Sequence, residues 1–155
     1  MSHALVRVFV HFVWSTKNAE RSLCDGVRQE VKVHIARYAR ENGMHLEAFD
    51  VQPEHVHLVV RLGSEQRTGD VPKLLKGESS HWINQNDIVA GKFSWQTGYA
   101  AFSVDQGGLE AVKSYVMNQE EHHKRNTYSE EIGAMIQESG FVIGEDGVVH
   151  VKGNR

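Results

Sequence analysis

The stretch Glu54-His55-Val56-His57-Leu58-Val59-Val60 places two histidines two residues apart in a run that is otherwise apolar and largely β-branched. This composition predicts a strand. Because successive side chains of a strand point to opposite faces, His55 and His57 share one face. Pro53 lies directly before the histidines and suits the approach to a strand. The sequence therefore predicts a strand that presents two imidazoles side by side, a pair that can bind a divalent metal if a third ligand comes from elsewhere.

A purely structural interpretation of this pair competes with the metal site. Histidines at this spacing also occur on half-exposed strands, where each ring bonds to water or to a carbonyl group. Taken alone, the pair fits that interpretation better, so the metal site depends on finding the third ligand.

The segments on either side of this strand predict the order strand, helix, strand, strand, helix, strand. Apolar residues alternate over residues 5–15 and 44–51, and residues 91–104 contain the last strand. Helical spacing predicts helices over residues 24–42 and 71–86. This order is typical of an α+β, ferredoxin-like split βαβ fold, an antiparallel sheet with two helices on one face. The histidine strand is then central, with its imidazoles on the face that the two helices leave open.

A third helix over residues 109–124 is the expected cover for that face. Thr127-Tyr128-Ser129-Glu130 matches a capping box, which predicts a fourth helix to about residue 139, and a small hairpin follows over residues 141–151. We therefore expect one domain over residues 1–155. Its parts are a core at 3–105, an appended helix at 109–124, and a C-terminal helix and hairpin at 127–152.

Composition excludes several classes of protein. The chain has 155 residues, 40% hydrophobic and 24% charged, which is typical of an ordinary globular protein. No apolar run reaches the roughly 20 residues of a membrane span, and we see no secretion signal. The lone Cys24 fits a reducing cytoplasm. The net charge of −3 argues against a nonspecific polyanion binder, so a nucleic-acid site would be confined to one face with small basic clusters.

The predicted third helix carries Tyr115 and Gln119, which are four residues apart and therefore share one helical face. The amide oxygen of Gln119 is a neutral, hard ligand that would complete a His, His, Gln site. Such a site suits Mg²⁺ or Mn²⁺ better than a structural zinc. One turn away, Tyr115 could attack a phosphoryl group.

With these residues in place, the sequence resembles the single-tyrosine HUH transposases, the small insertion-sequence and REP-associated tyrosine transposases. HUH stands for His, hydrophobic residue, His. The resemblance covers nearly the whole chain and lies in these segments: Trp14-Ser15-Thr16-Lys17-Asn18, His55-Val56-His57-Leu58-Val59, Lys76-Gly77-Glu78-Ser79-Ser80, Trp82-Ile83-Asn84, Trp95-Gln96-Thr97-Gly98-Tyr99, and Tyr115 to Gln119 followed by His122-His123.

The resemblance implies that His55, His57 and Gln119 bind the divalent metal and that Tyr115 is the nucleophile. It also implies cleavage of single-stranded DNA next to hairpins, a tyrosine joined to the 5′ phosphate, a free 3′ hydroxyl, and a homodimer. Five cations are weaker candidates for DNA contact, namely Lys17, Arg21, Lys73, Lys76 and Lys113. His11 and His122 are candidates for supporting the site.

Three alternatives stay open. The chain could be a catalytically silent, domesticated hairpin-binding protein of the same fold, which a covalent adduct would exclude. It could be a relaxase or replication initiator, which the small size and the Tyr-x-x-x-Gln spacing disfavour. It could also be a metal-dependent RNA-binding domain, because a fold does not fix a function.

Overall fold

The histidine stretch forms a central strand of a four-stranded antiparallel sheet, as predicted. The strands lie in the order β2-β3-β1-β4, and their bounds are β1 Val8–Ser15, β2 His45–Val51, β3 His55–Leu62 and β4 Ala100–Val104. The computed structural model describes residues 4–123, 126–143 and 149–151. The first strand is shorter than predicted, because pairing with β3 starts at Val8.

Two helices cover one face of the sheet, α1 (Asp25–Glu41) and α2 (Asp70–Gln85). Val56, Leu58 and Val60 of β3 point to these helices. They belong to a buried apolar cluster with Phe12 and Trp14 of β1, Val31 and Ile35 of α1, and Leu75 and Ile83 of α2. The alternation in β3 therefore turns the histidines to the other face.

The opposite face is covered by α3 (Leu109–Met117), as expected. Leu109 and Val116 are buried in a second apolar cluster with Phe9, Ala48 and Val59 of the sheet. Together, the four strands and three helices confirm the predicted ferredoxin-like fold with an appended tyrosine-bearing helix.

The prediction of one continuous helix over residues 109–124 is wrong. The segment forms α3 and a separate short helix, α4 (Gln119–His123), with Asn118 between them at φ −106° and ψ 31°. These angles depart from helical values. Tyr115 and Gln119 therefore belong to different helices, and the last predicted residue, Lys124, lies outside the described residues.

The chain divides into two compact units, Met1–Gln119 and Glu120–Arg155. In the second unit, α5 (Tyr128–Glu138) begins with the predicted capping box. The Thr127 hydroxyl accepts from the Glu130 N–H at 3.2 Å and donates to the Glu130 carboxylate at 3.1 Å. Strands β5 (Phe141–Ile143) and β6 (Val149–Val151) pair antiparallel, as predicted for the hairpin, while its turn lies outside the described residues. The prediction of one domain stays a prediction.

The described residues contain no helix with the length and apolar character that a membrane crossing requires.

Candidate active site

His55 and His57 lie next to each other on the face of the sheet that α3 covers. Both side chains are fully buried. Their ring centroids are 4.9 Å apart with the planes at 80°, and one ring nitrogen of each lies within 4.8 Å of the other. The spacing along β3 thus produces the pair of converging imidazoles that the sequence predicts.

The Nδ1 atom of His55 is hydrogen-bonded to Glu54, whose carboxylate Oε1 lies 2.8 Å away. Because a carboxylate only accepts, the imidazole donates through Nδ1–H, and a metal would be held through Nε2. The other carboxylate oxygen, Oε2, accepts from Arg21 Nη1 at 3.0 Å. His55 therefore has a charged partner directly behind it.

The Nδ1 atom of His57 is hydrogen-bonded to His11 Nε2 at 2.9 Å. The register of β1 and β3 explains this contact, because His11 lies opposite Val59 and is therefore the diagonal neighbour of His57 on the same face. The two rings also stack, with centroids 5.1 Å apart. The structure thus brings His11 against His57, where the sequence suggested a supporting role.

Tyr115 reaches the histidines from α3. Its ring lies edge-on to His57, with centroids 5.7 Å apart, and 6.3 Å from the His11 ring. The side chain is partly buried beside the apolar cluster that fixes α3 to the sheet. The Tyr115 ring therefore lies beside the imidazoles of its own chain.

Gln119 is fully buried, and its amide Nε2 donates to the carbonyl oxygen of Tyr115 at 3.1 Å. The sequence predicted that the two residues share a helical face. The structure links them instead through this hydrogen bond across the break at Asn118. With Nε2 engaged, Oε1 is the atom of Gln119 that would be a ligand.

The five candidate DNA-binding cations do not lie together. Lys17 and Arg21 follow β1 at the end of the sheet where β3 begins. Lys73 and Lys76 lie on α2, across the sheet from the histidines. Burial lowers the pKa of Lys76, and its Nζ donates to Gly98 O at 2.9 Å. Lys113 on α3 forms ion pairs with Glu47 at 3.8 Å and Glu110 at 3.6 Å. The side chain of His122 lies outside the described part of the chain.

Sequence reasoning missed Glu54. Strict alternation would place it on the face opposite His55, but β3 begins at His55 and Glu54 lies in the bend before it. Its side chain can therefore turn back to the adjacent imidazole. The only signal in the sequence is an acidic residue directly before the first histidine.

Comparison with known proteins identifies the family. The family model described as IS200-like transposase matches residues 4–119. The chain belongs to this family. Among curated proteins, this transposase is similar to the ISDra2 transposase TnpA of Deinococcus radiodurans. The two are 25% identical over 114 residues, which cover 70% of this chain and 81% of the relative.

Two solved structures are similar to this transposase. One is a Deinococcus radiodurans R1 protein described as a transposase, with a TM-score of 0.59 and 25% identity over 77% of this chain and 95% of that chain. The other is a REP-associated tyrosine transposase bound to a REP hairpin, with a TM-score of 0.61 and 15% identity over 79% of this chain and 72% of that chain. At that identity, the second likeness concerns the fold alone. The family membership confirms the resemblance seen in the sequence and makes the protein a transposase, a class of DNA-cleaving enzyme.

Proposed function

We propose that this transposase cleaves and rejoins single-stranded DNA beside hairpins, with Tyr115 as the nucleophile. The position of the Tyr115 ring, 5.7 Å from that of His57 and edge-on to it, carries the proposal. Hairpin DNA is proposed as the substrate because a REP hairpin is bound by the fold neighbour. A cytoplasmic location and assembly as a homodimer remain predictions.

The residues present fit a divalent metal. His55, His57 and Gln119, all buried, would offer two imidazole nitrogens and one amide oxygen, a mixed nitrogen and oxygen donor set. Imidazole nitrogen suits transition metals better than Mg²⁺, which prefers oxygen, so this set favours Mn²⁺ of the two candidate ions. When bound, such a metal polarises a phosphoryl oxygen and stabilises the charge that develops on it.

Tyr115 acts as the nucleophile in the cleavage step. Its phenolic oxygen loses a proton and forms a bond to phosphorus, while the bond from phosphorus to the 3′ oxygen breaks. The departing 3′ oxygen takes up a proton and becomes a 3′ hydroxyl, and the 5′ phosphate stays joined to the tyrosine. Attack by a second 3′ hydroxyl reverses these changes and joins a new DNA end. Because one phosphate ester replaces another, no nucleotide cofactor is needed.

Lys17 is the candidate DNA contact best placed for this reaction. It is exposed and lies at the end of the sheet where β3 begins with His55. Lys113, by contrast, is engaged with carboxylates. We expect Lys17→Ala to weaken binding of single-stranded DNA and to lower the salt slope by about 0.7, as for the loss of one phosphate contact.

The test is formation of a covalent adduct. The protein is incubated with hairpin DNA from the flanks of its own gene, labelled at the 5′ or the 3′ end, with Mn²⁺ or EDTA. Denaturing gels then compare wild type with Tyr115→Phe and His57→Ala. We expect a metal-dependent adduct on the 5′ phosphate that neither variant forms.

Tyr38→Phe is the matched control, because Tyr38 is a partly buried tyrosine on α1, across the sheet from the site. It should form the adduct as wild type does. Tight binding of the hairpin without an adduct under any metal would refute the catalytic proposal and favour the catalytically silent hairpin-binding protein.

A further inference from the structure

Glu54 is buried, at 8% side-chain exposure, and uses both carboxylate oxygens. Oε1 accepts from His55 Nδ1 at 2.8 Å, and Oε2 accepts from Arg21 Nη1 at 3.0 Å. We propose that Glu54, itself held by Arg21, is a positioning residue that fixes the tautomer and ring orientation of His55. The inference rests on the proposed function in one respect, namely that His55 is a metal ligand.

The backbone of Glu54 is anchored independently of its side chain. Its carbonyl oxygen accepts from the Thr16 N–H at 2.8 Å and from the Thr16 hydroxyl at 3.3 Å. The preceding carbonyl, of Pro53, accepts from the Leu23 N–H at 3.0 Å. Both ends of the loop that carries Arg21 are therefore fixed to residues 53 and 54.

Arg21 holds the outer oxygen of the carboxylate from this loop. Its side chain is 73% exposed, so the ion pair lies at the boundary between solvent and the buried imidazole. The arginine end of this pair is exposed to solvent, which screens the interaction. The effect of the pair is to direct Oε1 at His55, while the DNA contact that the sequence suggested for Arg21 stays a prediction.

The two histidines differ in what lies behind them. His57 has the imidazole ring of His11 as its partner, whereas His55 has a carboxylate. A hydrogen bond with one charged partner is roughly twice as strong as a neutral one, and it makes the imidazole a better electron donor. Glu54 should therefore contribute more to metal binding than His11 does.

Two measurements on Glu54→Ala test the inference. The first is the tautomer of His55 in the metal-free protein, read from ¹⁵N NMR above the ordinary histidine pKa of about 6.5. Wild type should carry the proton on Nδ1, and the variant should show a mixture of tautomers. The second is Mn²⁺ affinity by titration calorimetry, which the variant should lower about 10- to 100-fold.

Glu78→Ala is the matched control. Glu78 makes an equally short contact, 2.8 Å, with His34 Nε2, but on the face of the sheet that α1 and α2 cover. It should leave both the His55 tautomer and the Mn²⁺ affinity unchanged. Glu54→Gln keeps an acceptor oxygen without the charge, so it should retain the His55 tautomer and lose part of the Mn²⁺ affinity. It serves as the test if thermal unfolding shows that Glu54→Ala is not folded.

An unchanged tautomer and an unchanged Mn²⁺ affinity in Glu54→Ala would overturn the inference. Failure of the proposed function looks different, because wild type itself would then bind no Mn²⁺. The tautomer comparison uses metal-free protein and decides the role of Glu54 in that case as well.

Discussion

The polar residues of the candidate site support one another in pairs. His57 is held by His11, and His55 by Glu54, while the Gln119 amide N–H donates to the Tyr115 carbonyl. Buried polar groups need such partners because an unsatisfied one costs about 1–3 kcal/mol. Removing one supporting residue should therefore weaken metal binding by its partner, while the partner side chain itself stays in the site.

His11→Phe should weaken Mn²⁺ binding about 10-fold, because the aromatic ring stays but His57 Nδ1 loses its hydrogen-bond partner. Titration calorimetry on the metal-free protein measures this. His45→Phe is the control, since His45 is an exposed histidine at the start of β2. Equal Mn²⁺ affinities in His11→Phe and wild type would show that His11 only packs.

Most of the site could be predicted at this scale, because strand alternation fixes which side chains of β1 and β3 share a face. His55, His57 and His11 follow from that rule. Glu54 does not, because its position depends on a bend before β3. The contact of Gln119 likewise depends on a helix break at Asn118 that helical spacing does not predict.

At the scale of elements, helix α1 ends in a well-defined C-terminal cap. Asn42 caps the helix and Gly43 follows at φ 73°. The Met44 N–H donates to Ala39 O at 2.8 Å and the Gly43 N–H to Arg40 O at 3.3 Å, the hydrogen bonds of a Schellman motif. The Asn42-Gly43 pair suits this helix end, since glycine adopts a positive φ without strain.

Gly43→Ala should lower the free energy of unfolding by about 1 kcal/mol, because an alanine is strained at that φ. Gly77→Ala is the matched control and should have the opposite sign. Gly77 lies inside α2, and a Cβ added there meets nothing within 4 Å, so the change should stabilise the protein by up to about 1 kcal/mol. Denaturant unfolding of both variants measures the two effects, and stabilisation by Gly43→Ala would contradict the Schellman assignment.

The docking of α3 places Tyr115 beside the histidines of its own chain. Leu109 and Val116 are buried against the sheet of the same chain, and this places Tyr115 beside His57 of that chain. We therefore expect Tyr115 to act with the histidines of its own chain and not with those of a partner subunit.

A mixture of Tyr115→Phe and His57→Ala should therefore form no DNA adduct. Each variant lacks one half of the site, and only exchange of α3 between subunits would bring an intact tyrosine to intact histidines. The adduct assay proposed above, run on each variant alone and on the mixture, measures this. An adduct in the mixture alone would show that α3 is exchanged.

At the scale of the whole molecule, the segment that matches the family model and the first compact unit end at the same residue. The family model matches residues 4–119, and the first compact unit is Met1–Gln119. The buried apolar residues of both clusters lie between Phe9 and Val116. Composition alone did not predict this division, because the polar run that follows Gln119, Glu120 to Arg125, fits a helix end as well as a boundary between two units.

A fragment of residues 1–123, which also keeps α4, should therefore fold on its own. It retains the four-stranded sheet, α1 to α3 and both apolar clusters, and a unit with its own core can fold independently. Far-UV circular dichroism should show one cooperative thermal transition. Urea unfolding should have an m-value lower than that of the full chain, because less surface is exposed. A fragment without a cooperative transition would show instead that residues after 123 are needed to complete the fold.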